Sequence, residues 1–408
     1  MMKRTVEGMA LTLSNKAKAV KPSSTLAITA KAKELKAKGI DVVGFGAGEP
    51  DFNTPDNINN AAIKAIKDGF TKYTPASGIM ELKQAISRKF KSFNHLNYEP
   101  EQVVISNGGK HSLINVFAAI LNPGDEVMIP APYWLSYPEM VKLEDGIPVP
   151  VATKKENGYK VTVEELEQAY TDKTKALVLN SPCNPTGMLY TREELEKIAA
   201  FIVEKDIYVV SDEMYEYLTY DGAEHVSIGS LNDEIFARTI TVSGVSKSYA
   251  MTGWRIGYTG SSLEIAKLMS SVQSHSASNP NSIAQKATVE AITGPQETIA
   301  YMKEQFDKRR KYMVERIAKM PHVSCVEPKG AFYVFIDVEE ATAMKYKGEV
   351  VGSSAKLADI MINDFNVALI PCEDFGIENH VRLSYAISLE NIEKGLDRFE
   401  AFLNTLEA

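Results

Sequence analysis

Lys247 stands in a sequence context in which a lysine amine could do covalent chemistry. It follows a strand-like run at residues 238–242 and a turn of small residues at 243–246, and Arg255 comes soon after. Small neighbours allow a ligand to come close, and the second cation suggests that this ligand is an anion. A lysine in such a setting is typical of a residue that forms a Schiff base with an aldehyde. By itself the pattern also fits an ordinary solvated lysine.

The segment at residues 106–113 offers a place for the anion. It joins a predicted strand to a predicted helix and contains Gly108 and Gly109. These glycines would expose backbone N–H groups at the helix N-terminus, where anions bind favourably. A simple strand-to-helix turn has a similar sequence, so that alternative stays open.

Asn184 and Asp212 are two further polar residues that follow apolar runs. Asn184 lies in a loop with two X-Pro steps and a glycine (residues 180–187), which would fix the direction of its amide. Asp212 follows the apolar run 207–210, and Tyr215 lies just beyond it. A buried carboxylate requires a partner because an unpaired buried charge is costly. A salt bridge or a helix cap would meet that requirement as well as a ligand.

The elements that would position these residues alternate between strand and helix. Short apolar runs begin at residues 103, 126, 176, 207 and 239, with helical patterns such as 113–121 and 192–204 between them. Near-continuous apolar strands separated by helices predict an α/β fold with a mainly parallel sheet that helices flank on both faces. In such a sheet we expect the catalytic residues at the carboxyl ends of the strands.

Composition and charge limit the function classes. The chain has 408 residues, of which 44% are hydrophobic and 24% charged, which is typical of a soluble globular protein. Its formal net charge of −8 argues against a nucleic-acid partner. No apolar run approaches the length of about 18 residues that a membrane helix needs, so we expect a cytoplasmic protein without a membrane partner. The three cysteines and six histidines have no metal-ligand spacing, and we expect no metal site.

The glycine-rich loop at residues 44–48 raises the alternative of a dinucleotide site. Its spacing is G-x-G-x-G, one residue short of the dinucleotide fingerprint, and Glu49-Pro50-Asp51 follows instead of an apolar helix. We therefore expect an irregular loop whose backbone approaches a ligand.

Pyridoxal phosphate is a cofactor whose polar groups these segments could all serve. Its aldehyde needs an amine, its ring nitrogen an anion, its phenolic oxygen hydrogen-bond donors and its phosphate a cation with backbone N–H groups. The residues available for these tasks are Lys247 for the aldehyde, Asp212 for the nitrogen, Asn184 and Tyr215 for the phenolic oxygen, and Gly108, Gly109, Ser246 and Arg255 for the phosphate.

Eight motifs in a fixed order carry a resemblance to a known family. They are G-A-G-E-P-D-F (46–52), T-K-Y-T-P (71–75), A-P-Y-W-x-S-Y-P (131–138), N-S-P-x-N-P-T-G (180–187), S-D-E-M-Y-E (211–216), G-V-S-K-x-Y-A-M-T-G-W-R-I-G-Y (244–258), G-A-F-Y (330–333) and V-R-L-S-Y-A (381–386). From residue 14 to the C-terminus the chain resembles class I pyridoxal-phosphate aminotransferases, and bacterial aspartate aminotransferases most closely.

The resemblance implies a domain arrangement. Residues 49–293 would form a large cofactor-binding domain, and residues 14–48 and 294–408 a smaller α+β domain built from both chain ends. Residues 1–13 would be a flexible lead.

The resemblance also implies roles for individual residues. Lys247 would hold the cofactor and then move a proton as general base and acid, while Asp212 keeps the ring nitrogen protonated. Trp134 would stack on the ring. Arg382 would clamp the substrate α-carboxylate, a bidentate task that suits arginine, and the pocket for that carboxylate would be completed by Gly48 and Asn184.

Two further expectations concern the partner subunit and the substrate. Tyr73 would reach the cofactor phosphate of a neighbouring subunit, so that the active unit is a homodimer with shared active sites. Lys110, which we group with the cofactor site, would also bind the distal carboxylate of a substrate together with Lys21 and Thr25. That predicts amino transfer between L-aspartate and 2-oxoglutarate.

Alternatives to aspartate as substrate stay open. The same cations could accept prephenate or a broader set of amino acids, and the same cofactor could support β-elimination or decarboxylation. A role as the sensor domain of a transcription regulator would require a DNA-binding module, for which the segment before the first core helix is too short. Cys372 stands where such proteins usually have glycine, and Ser243 where asparagine is common. Neither removes a group that the mechanism needs, but Cys372 leaves the fine specificity open.

Overall fold

The computed structural model describes residues 12–408, so most of the predicted lead lies outside the described residues. The α-helices are α1 (Asn15–Ala19), α2 (Ser24–Ala37), α3 (Asp56–Lys67), α4 (Met80–Lys89), α5 (Gly109–Ile120), α6 (Ser136–Leu143), α7 (Val163–Ala169), α8 (Arg192–Lys205), α9 (Asp233–Phe236), α10 (Leu263–Ser276), α11 (Ser282–Thr293), α12 (Glu297–Ile317), α13 (Glu339–Ala343), α14 (Ser354–Asp364) and α15 (Leu389–Leu403).

The strands lie between these helices. They are β1 (Val43–Gly44), β2 (Val103–Ser106), β3 (Glu126–Ala131), β4 (Ile147–Ala152), β5 (Thr174–Asn180), β6 (Tyr208–Asp212), β7 (Thr239–Gly244), β8 (Gly257–Gly260), β9 (Ser324–Cys325), β10 (Tyr333–Asp337), β11 (Lys345–Tyr346), β12 (Glu349–Val350), β13 (Val367–Ala368), β14 (Ile370–Pro371) and β15 (His380–Ser384).

The central sheet has seven strands in the order β2-β8-β7-β6-β5-β3-β4. All neighbours pair in parallel except β8, which runs antiparallel to β2 and β7. Alternate residues of β5 enter two different hydrophobic clusters, Val178 on one face and Leu177 and Leu179 on the other. Burial on both faces explains the near-continuous apolar runs. The predicted α/β class with a mainly parallel sheet is confirmed.

Two strands of this sheet escape the sequence patterns. Pro148 and Pro150 interrupt β4, and prolines are tolerated there because β4 is an edge strand. The sequence of β8 is Gly-Tyr-Thr-Gly, which has no run of apolar residues. Its antiparallel pairing with Thr241–Gly244 also extends β7 two residues beyond the strand that we predicted to end at Val242.

A second sheet, of order β14-β15-β10-β9, is built from C-terminal residues. Near it β1 pairs in parallel with β13, so a segment from the start of the chain lies beside one from its end. The boundaries that we draw at residues 48 and 294 stay a prediction. Within residues 12–408, no helix has both the length and the apolar character that crossing a membrane requires.

Candidate active site

A cavity of about 370 Å³ opens at the carboxyl ends of β5, β6 and β7. Its volume lies in the range of small-molecule sites. The sequence-predicted residues that line it are Thr25, Gly48, Gly109, Lys110, Trp134, Asn184, Asp212, Tyr215, Ser246, Lys247, Arg255 and Arg382. Parallel strands end at one edge of the central sheet, which explains why Asn184, Asp212 and Lys247 meet here. Thr25, Gly48 and Arg382 reach the cavity from outside this sheet, and Arg382 comes from β15 of the second sheet.

Lys247 enters the cavity from the turn that follows β7. Its Nζ donates a hydrogen bond to the backbone oxygen of Gly48. Burial lowers the pKa of Lys247 to about 8; Glu49 opposes this shift, and the positive charges of Arg382 and Arg255 add to it. The amine is therefore far more often neutral, and so nucleophilic, than that of an exposed lysine.

Asp212 is the last residue of β6 and is buried. Its Oδ2 accepts a hydrogen bond from the Tyr137 hydroxyl at 2.7 Å, and its Oδ1 accepts one from the Met214 backbone N–H at 3.1 Å. Burial raises the pKa of Asp212 to about 6, although these two hydrogen bonds act to lower it. A protonated nitrogen placed against this carboxylate would reverse the shift, because an opposite charge stabilises the ionised form.

The start of α5 provides a place for an anion. Gly108 caps this twelve-residue helix with a positive φ of 88°, and a Cβ at that position would collide with the Arg255 guanidinium. Arg255 donates to two backbone carbonyls, those of Thr252 at 2.8 Å and Asn107 at 3.4 Å. Backbone carbonyls carry no full charge, so the guanidinium retains its charge for an anion beside the helix N-terminus and Ser246.

Arg382 lies in the middle of β15 and is only 2% exposed. Its Nη1 donates to Asn184 Oδ1 at 2.8 Å and its Nη2 to the Gly46 oxygen at 3.3 Å, while its buried Nε has no partner. The guanidinium carbon lies 4.4 Å from the ring centroid of Tyr333. Among residues 12–408, no carboxylate forms an ion pair with it. A buried arginine without a counterion favours binding of an anionic group.

The remaining predicted residues form the cavity walls. Lys110 Nζ lies 4.9 Å from the ring centroid of the half-buried Trp134. Burial and, to a lesser extent, Arg255 lower the pKa of Lys110. The Tyr215 hydroxyl lies 2.9 Å from that of Tyr333. Thr25 Oγ1 is buried without a hydrogen-bond partner, so a ligand could use it.

Three predicted residues do not line the cavity. Gly108 packs behind it, against Arg255. Lys21 lies in a neighbouring groove, where its backbone N–H bonds to Glu139 Oε2 at 3.0 Å. Tyr73 is 91% exposed on the surface of this single chain. The roles expected of these residues therefore stay predictions. Cys372, whose effect on specificity was open, is buried beside Phe335 and Phe375 and does not line the cavity either.

The cavity also has lining residues that the sequence analysis did not single out. Tyr137 bonds to Asp212, and Tyr333 lies against both Tyr215 and Arg382. Both tyrosines belong to the motifs at 131–138 and 330–333, and that membership is the only signal in the sequence that could have identified them. Asn180 and Thr252 also line the cavity and belong to the motifs at 180–187 and 244–258, whereas Ser23 lines it without lying in any of the eight motifs.

Comparisons with known proteins agree with this geometry. Residues 40–399 match the family model described as "Aminotransferase class I and II". The chain is 50% identical to an aspartate aminotransferase of Bacillus sp. (strain YM-2), covering 96% of this chain and 99% of that one. It is 46% identical to a probable aspartate/prephenate aminotransferase of Aquifex aeolicus, covering 97% and 99%.

A solved structure gives the same result for the fold. The aspartate aminotransferase from Thermus thermophilus with maleate superimposes with a TM-score of 0.91 at 44% identity, covering 96% of this chain and all of that one. The predicted resemblance to class I aminotransferases is therefore confirmed, and the chain belongs to the class I and II aminotransferase family.

Proposed function

We propose that this aminotransferase uses pyridoxal 5′-phosphate to transfer the amino group of L-aspartate to 2-oxoglutarate, giving oxaloacetate and L-glutamate. The observation that carries the proposal is one cavity that the Lys247 amine, the Asp212 carboxylate and the guanidinium of Arg382 all line, and within residues 12–408 no carboxylate pairs with that guanidinium. The Lys247 amine suits an aldehyde carbon, the Asp212 carboxylate suits a protonated ring nitrogen, and the Arg382 guanidinium suits a substrate carboxylate.

The donor set fits the cofactor at each of its polar groups. Lys247 would hold it covalently through Nζ, and Asp212 would face the ring nitrogen. The phosphate would lie at the N-terminus of α5 near Ser246 and Arg255, where a side chain at Gly108 would displace the guanidinium. Asn184 uses its carbonyl oxygen for Arg382, so its amide N–H groups are the donors left for the phenolic oxygen.

When bound, the cofactor supplies a carbonyl carbon that takes up the amino group and a ring that accepts electron density. The chain itself handles protons and charge. The Lys247 amine, once free and neutral, would take the proton from the substrate Cα and give it to the cofactor carbon that receives the amino group. The Asp212 carboxylate would stabilise a proton on the ring nitrogen, and Trp134, which lines the cavity, would help to exclude water from it.

Dicarboxylic substrates are favoured by the cations of the cavity. Arg382 would bind the α-carboxylate, and Lys110 and Thr25, which both line the cavity, would bind the distal one. The similarity to bacterial aspartate aminotransferases, and to one whose structure contains maleate, supports this choice. The similarity to a probable aspartate/prephenate aminotransferase keeps prephenate as the second candidate.

The proposed active unit is a homodimer in which Tyr73 of each chain binds the cofactor phosphate of the other. The support is the 91% exposure of Tyr73 together with the exposed side chains of Ile66 and Met80. Exposed apolar groups of this kind are common at interfaces between subunits. Light scattering should give a dimer, and Tyr73→Phe should weaken cofactor binding without dissociating it.

Half-reactions with single amino acids test the proposed function. Purified protein with bound cofactor should convert aspartate and glutamate quickly, and phenylalanine and alanine slowly. Lys247→Ala should abolish turnover and the absorbance of the covalently held cofactor, whereas Lys267→Ala, at an exposed lysine, should change neither. Absence of a half-reaction with aspartate and glutamate would refute the substrate assignment. Pyruvate or alanine formed from aspartate would instead indicate β-elimination or decarboxylation.

A further inference from the structure

A buried polar network lies at the ends of β6 and β7, and none of its members lines the cavity. We call it the rear network; its members are Lys89, Asn94, Ser211, Glu213, Glu216, His225, Ser227 and Ser243. The side chains of Glu213 and Glu216 are each 1% exposed, and that of Lys89 is 5% exposed. None of the mechanistic steps above uses these groups.

Glu216 connects three separate parts of the chain within this network. Its Oε1 accepts hydrogen bonds from Lys89 Nζ and from the Ser243 hydroxyl, the latter at 2.6 Å. Its Oε2 accepts one from Asn94 Nδ2 at 2.7 Å. Ser243 lies in β7, four residues before Lys247 in the sequence. Glu216 thus ties the chain that follows Asp212 to the strand end that leads to the reactive lysine.

Glu213 completes the connection on the Asp212 side. Its Oε2 accepts from Asn94 Nδ2 at 2.9 Å, from Ser227 Oγ at 2.6 Å and lies 2.8 Å from His225 Nε2. Its backbone N–H donates to the Val242 oxygen of β7 at 2.8 Å. Because Asp212 and Glu213 are consecutive, a hydrogen bond that fixes the backbone of Glu213 also restricts the backbone of Asp212.

A metal site is the competing interpretation of this cluster. Ligand atoms of Glu213, Glu216 and His225 all lie within 4.8 Å of one another, a spacing that could hold an ion. However, the carboxylate oxygens already accept hydrogen bonds from Lys89, Asn94 and serine hydroxyls, and the lysine ammonium supplies the positive charge. Among the described residues, the carboxylate oxygens are therefore satisfied without a metal, although His225 Nδ1 is buried without a hydrogen-bond partner.

The two buried carboxylates of Glu213 and Glu216 are not needed to hold β6 and β7 together. The backbone pairing of β6 with β7 already connects them, and taking a carboxylate out of water costs several kcal/mol even in a relaxed protein. Buried ionic networks stabilise a fold no better than apolar packing does, and their best-attested use is to select one geometry.

We propose that Glu216, through Ser243, is a positioning residue that aligns the Lys247 turn with Asp212 for capture of pyridoxal phosphate. The proposal rests on the proposed function, since it concerns the same cofactor. The hydroxyl of Ser243 is the link that can be cut with the least damage, because the Lys89–Glu216 ion pair stays intact without it.

The test compares Ser243→Ala with Thr239→Val in cofactor-free protein. Thr239 is a matched control because it is buried in the same strand and its hydroxyl donates to a backbone oxygen, that of Ile235, at 2.7 Å. Both variants should lower the melting temperature by a similar amount. Only Ser243→Ala should slow the uptake of added pyridoxal phosphate, by about 3- to 10-fold, which corresponds to one lost hydrogen bond of ordinary strength.

Further readouts separate positioning from loss of stability. Ser243→Cys, a weaker donor of nearly the same size, should take up the cofactor at an intermediate rate. In Ser243→Ala the absorbance of the bound cofactor should also titrate at a shifted pH, which a purely structural role would not cause. Equal uptake by Ser243→Ala and Thr239→Val would overturn the positioning role alone. Failure of the wild-type protein to take up the cofactor would overturn the proposed function, and the positioning role with it.

Discussion

Asp212 and Glu213 are consecutive buried carboxylates with opposite environments. Asp212 faces the cavity, accepts one phenol and one backbone N–H, and has a pKa that burial raises to about 6. Glu213 faces the rear network. Although burial acts to raise its pKa, His225 and the hydroxyls of Ser227 and Ser211 bring that pKa below its ordinary value.

The difference lies in where the compensation for burial comes from. The Glu213 carboxylate accepts hydrogen bonds from other side chains of the protein, which offset the free energy of removing it from water as soon as the chain folds. Asp212 and Arg382 receive too little compensation from the chain, and they become fully compensated only when a ligand of opposite charge arrives. Buried charged groups that lack enough hydrogen bonds or counter-charges from the chain, such as Asp212 and Arg382, therefore indicate where a ligand binds. Buried charged groups whose partners all come from the chain, such as Glu213, indicate a structural role.

Replacement of Asp212 by asparagine is expected to have the largest effect. Asp212→Asn keeps the shape but cannot stabilise a proton on the cofactor's ring nitrogen, so turnover should fall by about 10²- to 10⁴-fold, the range for losing a group that controls a proton in the reaction. Steady-state and single-turnover kinetics would measure this. Unchanged turnover would show that Asp212 is not the partner of the ring nitrogen.

The pH dependence of stability should reveal the same contrast without any substrate. Because the pKa of Asp212 rises from 3.8 to about 6 on folding, the Asp212 carboxyl binds more protons in the folded cofactor-free protein than in the unfolded chain within this window. The contribution of Asp212 to stability should therefore fall as the pH rises from about 4 to 6. Between those two pH values, the free energy of unfolding of Asp212→Asn should rise relative to that of the wild-type protein by on the order of 2–3 kcal/mol.

Glu213→Gln is the control for this experiment, and the expected sign is reversed. A lowered pKa gives stability that is present above the ordinary value of 4.5 and disappears as the pH falls. The deficit of Glu213→Gln relative to the wild-type protein should therefore shrink on acidification. Urea denaturation at a series of pH values measures both differences, and parallel profiles for the two variants would contradict the comparison.

Arg382→Lys tests the other under-compensated group. A lysine keeps the charge but cannot donate two parallel hydrogen bonds to a carboxylate, so binding of every amino-acid substrate should weaken by about 1–3 kcal/mol. The dissociation constant of each amino acid, measured in half-reactions, would show this loss of binding. Because the α-carboxylate is common to all amino acids, an effect confined to dicarboxylic substrates would place Arg382 at the distal carboxylate instead.

The sequence predicted the residues that line the cavity better than it predicted the residues of the rear network. Lys247, Asp212 and Asn184 each follow an apolar run, and parallel strands bring such positions together. Arg382 was named through the motif at 381–386. All four meet in the cavity.

The rear network was not predicted, because nothing local in the sequence indicates it. Glu216 bonds to Lys89 and Ser243, which lie 127 and 27 residues away in the chain. Pairings of this kind depend on tertiary folding and leave no periodic pattern. The strand β8 was missed for a similar reason: its small residues form a strand only because β2 and β7 pair with it on both sides.

Lys110→Ala should have the smallest effect of the four substitutions compared in this Discussion. Its effect should also be confined to substrates that carry a second carboxylate. Lys110 is more exposed than Arg382, although its position in the cavity removes part of the water around its ammonium group and lowers its pKa. The water that remains screens its attraction for a carboxylate more than at Arg382. We expect KM for aspartate and glutamate to rise by about 3- to 10-fold, corresponding to about 1 kcal/mol, with KM for alanine unchanged. Lys142→Ala, at a lysine outside the cavity, serves as the control. An equal rise for alanine would mean that Lys110 acts on the cofactor rather than on the distal carboxylate, and the selectivity for dicarboxylic substrates would then have to come from the Thr25 segment.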